Sequence, residues 1–95
     1  MTHAGKARKR YLLLSCEENP TEAARRTVAE FVRERHPDVR DKAVILLTHG
    51  IIVKSDHRQM DQLRTELETF EAAGVKLRST SVSGSISKLK RLAER

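Results

Sequence analysis

Ala43-Val44-Ile45-Leu46-Leu47-Thr48-His49-Gly50-Ile51-Ile52-Val53 is the stretch on which the fold of this chain turns. Its first five residues are apolar with no polar alternation. Such a run suits a strand covered on both faces. Gly50 reads as a break. Ile51, Ile52 and Val53 then admit two readings: a strand continued past a bulge, or a turn of helix whose side chains face a partner. Taking residues 43–47 as a complete strand, and as the central one, sets the pattern for everything around it.

Working outward, Tyr11-Leu12-Leu13-Leu14-Ser15 is a second unalternating apolar run, and Val75–Ser79 is a third strand-like run. Asn19-Pro20-Thr21-Glu22 opens a helix, with Asn19 as cap and Pro20 in the first turn. Ala24, Val28, Phe31 and Val32 make its apolar stripe, and His36-Pro37 ends it near Arg35. Asp56-His57-Arg58-Gln59 has the spacing of another capping box. Met60, Leu63, Leu67 and Phe70 follow at helical spacing, with Gly74 as C-cap. Ser85 caps a last helix striped by Ile86, Leu89 and Leu92. The predicted fold is therefore α/β and three-layered, a small parallel β-α-β-α-β-α sheet wound by crossover helices.

The chain has 95 residues, enough for one small domain. The expected division is a flexible basic N-terminus over 1–9 and a single α/β domain over 10–95. No apolar run reaches the ~18 residues of a membrane span. The basic start is not followed by the apolar stretch of a signal peptide. A lone cysteine makes no internal disulfide and fits a reducing, cytoplasmic location. Net charge is +6, concentrated at the ends. Lys6, Arg8, Lys9 and Arg10 precede the first strand, and Lys88, Lys90 and Arg91 lie in the last helix. Such clusters meet nucleic-acid phosphates or simply solvate a surface. Aromatic rings for base stacking are few: Tyr11, Phe31 and Phe70.

In a parallel sheet the ligand edge is the carboxyl end of the strands. Three groups fall there. Cys16 is the one intrinsic nucleophile, placed ahead of a helix N-terminus, with Glu17 and Glu18 opposing its ionisation. His49 and Gly50 form a loop, with His57 in the next. These histidines match no zinc spacing, so no metal is expected. Thr80, Ser81, Ser83, Gly84 and Ser85 make a hydroxyl-rich loop whose amides suit an anion, without a P-loop pattern. No nucleophile-elbow order is visible, no cofactor is implied, and the expectation leans away from catalysis.

The Tyr11–Pro20 strand and loop, the 43–51 strand with its glycine, and Glu71-Ala72-Ala73-Gly74-Val75-Lys76-Leu77 together carry a resemblance. In order and spacing, roughly over residues 10–90, the chain resembles the DsrE/F-like family of small sulfur-relay proteins. The resemblance implies an oligomeric α/β protein. It also implies a persulfide cysteine just after the strand that follows Gly-Val. Here that position holds Ser79, Thr80 and Ser81, which cannot carry a persulfide, leaving Cys16 as the possible sulfur acceptor.

The leading expectation is a small oligomeric binding or accessory module, linked to sulfur transfer through Cys16. It assembles as a homodimer or larger through Ile51, Ile52 and Val53, and a further protein partner is open. Two alternatives stand beside it. One is a basic nucleic-acid-binding module using the terminal Lys/Arg clusters. The other is a small-anion or nucleotide binder at the loops near Gly50 and Ser83.

Overall fold

The computed structural model describes residues 9–94. Its elements are β1 (Lys9–Cys16), α1 (Glu22–Arg35), β2 (Val44–Leu46), β3 (Gly50–Asp56), α2 (His57–Glu66), β4 (Phe70–Ala72), β5 (Val75–Ser83) and α3 (Ile86–Ala93), with a short 3-10 turn at Asp41–Ala43. They build a five-stranded sheet in the order β2-β3-β1-β5-β4. Every pairing among the described residues is antiparallel.

The parallel sheet expected from the sequence is thus overturned, and the 43–53 stretch is where the reading goes wrong. Ile51, Ile52 and Val53 belong to a strand of their own. Leu46 lies opposite Ile51, and the Leu47 N–H donates to the Gly50 carbonyl at 2.8 Å across the Thr48-His49 turn. Gly50 is required by proximity rather than by a break: a Cβ there would stand 2.7 Å from the Leu14 carbonyl oxygen. The hairpin makes β2 an edge strand, and β1 takes the centre between β3 and β5.

The helical crossovers are nevertheless present. α1 links β1 to β2, which run the same way with β3 inserted between them. α2 leads from β3 into the β4–β5 hairpin, whose β5 runs the same way as β3 with β1 inserted between those. Two split β-α-β units are interlocked, each lending the other its middle strand.

Period-two alternation sends successive side chains to opposite faces. Leu12, Leu14, Ile51, Val53 and Leu77 pack with Ala24, Val28, Val32, Met60 and Leu63 in the main core under α1 and α2. Leu13 and Ile52 point the other way and meet Leu89 and Ala93 of α3. An apolar run without alternation therefore reports burial on two faces, and carries no information on strand direction. Ile51, Ile52 and Val53 are each 0 % exposed. They are core residues of the single chain, so the oligomer surface expected there is withdrawn.

Local boundaries also move. Thr21, not Asn19, caps α1, its hydroxyl accepting from the Ala24 N–H at 3.1 Å. Asp56 caps α2 and Ser85 caps α3, as their spacing predicted. α2 ends at Glu66, four residues short of the apolar stripe's end. Its last carbonyls are taken by β5: the Ser79 N–H donates to Leu67 O and the Ser79 hydroxyl to Arg64 O. Phe70 then turns into β4 and packs its ring on Phe31, centroids 4.7 Å apart. Ala73 and Gly74, both at positive φ (50° and 82°), are the two-residue turn between β4 and β5. That is the hairpin geometry in which both central residues are left-handed.

Candidate functional site

Tyr11 lies opposite Lys54 in the β1–β3 pairing, and Lys9 opposite Asp56. Tyr11 packs against the cluster under α3, so it sits on the α3 face of the sheet. Lys9, two residues before it, and Lys54, its cross-strand partner, share that face. Together with Arg40, Lys42, Ile45 and Ile86 they line a cleft of about 630 Å³, between the β2 edge and the first turn of α3.

The wall formed by residues 40–43 is held by one arginine. Arg25 of α1 donates to the Asp41 and Val44 carbonyls, both at 3.2 Å, while Glu22 grips its guanidinium at 2.8–2.9 Å. Asp41 adds a weaker contact at 3.4 Å. The hydrogen bond to Glu22 raises the Arg25 pKa further and holds the Glu22 carboxyl below the usual range. Arg25 is thereby neutralised as a structural tether. Lys9, Arg40, Lys42 and Lys54 make no ion pair with any described residue.

The cleft also contains Asp38 and Asp56. Asp56 is engaged as the α2 cap by the Arg58 and Gln59 N–H groups, and Asp38 accepts from Gln59 at 3.4 Å. These bonds fix the two carboxylates in place without removing their charge, so the four cations outnumber them two to one in the lining.

The start of β1 and the start of α3 come together at this cleft. Tyr11 lies opposite Ser83, so the start of β1 adjoins the end of β5 and the turn into α3. The Arg10 guanidinium stands over that turn, 2.9 Å from where a Cβ on Gly84 would be. Exposed Lys88, Lys90 and Arg91 project from α3, which carries no acid between Ile86 and Ala93. Lys6 and Arg8 lie outside the described residues.

The other nominated residues do not converge. Cys16 ends β1 at the far end of the sheet, in a separate concavity with Glu17, Glu18, Glu71, Lys76 and Arg78. Partial burial, with Glu18 adding, pushes its thiol up, the reverse of an activated nucleophile. His49 is exposed on the β2–β3 turn, beside buried Gly50. Thr80, Ser81 and Ser83 are not loop residues but part of β5. Thr80 sits at a register shift, its hydroxyl 2.9 Å from that of Ser15. Ser83 accepts from the Ser85 N–H, and Ser85 caps α3. Their hydroxyls stabilise a bulge, a turn and a cap, and form no common anion cradle. Among the described residues, no group of three or more His, Cys, Asp or Glu side chains could hold a metal ion. No helix there is long and apolar enough to cross a membrane.

Sequence reasoning missed Arg40, Lys42 and Lys54, because each stands alone in the chain. Only strand register gathers them around Tyr11. Comparison with protein families, with characterised proteins and with solved structures finds no match to this chain.

Proposed function

We propose that this protein is a nucleic-acid-binding module that grips the phosphate backbone with the α3 face of its sheet. The observation that carries the reading is the convergence of basic residues from four separate parts of the sequence. Lys9 of β1, Arg40 and Lys42 before β2, and Lys54 of β3 line one cleft, which Ile86 of α3 also lines, and the same helix exposes Lys88, Lys90 and Arg91. The α1–α2 side carries more acids among its arginines, Glu22, Glu30, Glu34, Asp61 and Glu66, against Asp38 and Asp56 in the cleft. A surface divided in this way steers a polyanion to one side, and released counterions supply the affinity. We favour the nucleic-acid reading over the sulfur-transfer one because burial and Glu18 push the Cys16 thiol up, which does not help a sulfur acceptor. A reducing compartment remains compatible with a single free cysteine.

The test is the salt dependence of binding to a fluorescent oligonucleotide. The wild type should bind with a steep negative slope of log affinity against log salt. Lys9→Gln with Lys54→Gln, and separately Lys88→Gln with Lys90→Gln and Arg91→Gln, should each weaken binding. Each lost phosphate contact should flatten the slope by about 0.7 for a single strand. Affinity indifferent to salt, or no binding at low salt, would overturn the proposal.

A further inference from the structure

The geometry points to a single strand, RNA or DNA, as the ligand of this cleft, with one unstacked base lying on the ring of Tyr11. This rests on the nucleic-acid reading and goes beyond it, since phosphate contacts alone would accept a duplex. Three observations carry it.

First, the cations are set around a concavity. At about 630 Å³ the cleft falls within the ~300–1,000 Å³ that accommodates a drug-sized ligand, a scale suited to one nucleotide unit. A duplex stays stiff over ~150 base pairs. It can lay phosphates across the mouth of such a cleft but cannot bend a nucleotide into it.

Second, Tyr11 is the aromatic residue of this face. Phe31 and Phe70 are spent on each other beneath the opposite one, and Arg35 covers Phe31. One side of the Tyr11 environment is fixed by packing against the apolar cluster under α3, yet the residue is only half-buried and lines the cleft. An aromatic residue packed on the apolar cluster and partly exposed to the cleft offers surface on which a base can stack.

Third, the surrounding cations suit a base on that ring. Lys54 lies directly across from Tyr11 and Lys9 two residues before it on the same strand, both free of ion pairs with described residues. Phosphates on either side of a stacked base then have partners within one side chain's reach.

The chain offers its own probe. Tyr11 is the only tyrosine, and there is no tryptophan. Intrinsic fluorescence therefore reports on this one ring. Oligo-U, oligo-dT and a duplex, each of twelve nucleotides per strand, are titrated at one salt concentration. Tyrosine emission and ligand anisotropy are followed together. Both single strands should quench Tyr11 as they bind, and the duplex should bind more weakly without quenching. Tyr11→Phe should keep the affinity. Tyr11→Leu, which preserves apolar packing, should lose about 5- to 150-fold, the equivalent of ~1–3 kcal/mol for one stacked base. If Tyr11→Leu fails to fold by circular dichroism, wild-type quenching still decides. Salt-sensitive binding without quenching, or equal quenching by the duplex, sinks the stacking proposal and leaves the proposed function intact. An anisotropy trace flat for all three ligands sinks both.

Discussion

Ile52→Ala separates a core residue from an interface residue, the point on which sequence and structure disagree most. Ile52 is 0 % exposed and packs with Leu13, Leu89 and Ala93 in the smaller core cluster. Truncating a buried isoleucine to alanine costs about 2–5 kcal/mol, depending on how far the surroundings collapse into the cavity. The wall here is α3, eight residues tethered through Gly84 and able to settle toward the sheet. The cost should therefore lie near the lower end, ~2–3 kcal/mol. A domain of this length has roughly 5–14 kcal/mol in total. The variant should still fold, with its melting temperature lowered by about 10–20 °C. Urea denaturation followed by circular dichroism measures the loss, and the slope with urea should not change. Sedimentation velocity on the same samples should give the same coefficient for wild type and variant. A variant with wild-type denaturation midpoint but an altered sedimentation coefficient would refute the assignment and restore Ile52 to an interface.

Two further outcomes follow from local geometry. Ala73 holds φ 50° in the β4–β5 turn, a region that costs a Cβ-bearing residue ~1–2 kcal/mol and that asparagine tolerates; Ala73→Asn should stabilise by about 0.5–1 kcal/mol in urea, whereas Gly74→Ala should destabilise despite open space around its Cβ position. Cys16 should alkylate more slowly than a free thiol at neutral pH, its rate rising only as pH climbs past the ordinary thiol range, because burial and Glu18 favour the protonated form; Glu18→Gln should speed the reaction, and a midpoint below that of a free thiol would contradict the geometry.

Two of the three helix N-caps and the apolar faces are legible in the sequence because they are local, whereas the cap of α1 is Thr21 rather than Asn19 and Gly74 caps no helix. Asp56 and Ser85 need only their own first helical turns to act as caps. Leu12, Leu14, Val28 and Val32 declare their burial by composition alone. Strand direction was not legible, since Thr48-His49 carries no Asn-Gly signal and the same Ala-Gly pair that turns β4 into β5 also terminates helices. Phe70 was misassigned for a related reason: its spacing from Leu67 suits a helix, and only contact with Phe31 decides otherwise. Of the candidate site, the terminal clusters were visible as charge runs. Lys54 acquires its role by lying opposite Tyr11, a pairing across 43 positions that no short window contains.

The central position of β1 has a consequence for how the protein is made. Of the five described strands β1 is synthesised first, and it gains its β3 partner only after residue 56 and its β5 partner only after residue 83. Neither half of the interlocked pair has a finished sheet without the other. At ~5–20 residues per second, several seconds pass in which Tyr11, Leu12, Leu13 and Leu14 have no strand on one or both sides. Burial of that apolar run therefore waits on β5, and a chain cut before residue 75 would leave β1 with one edge bare.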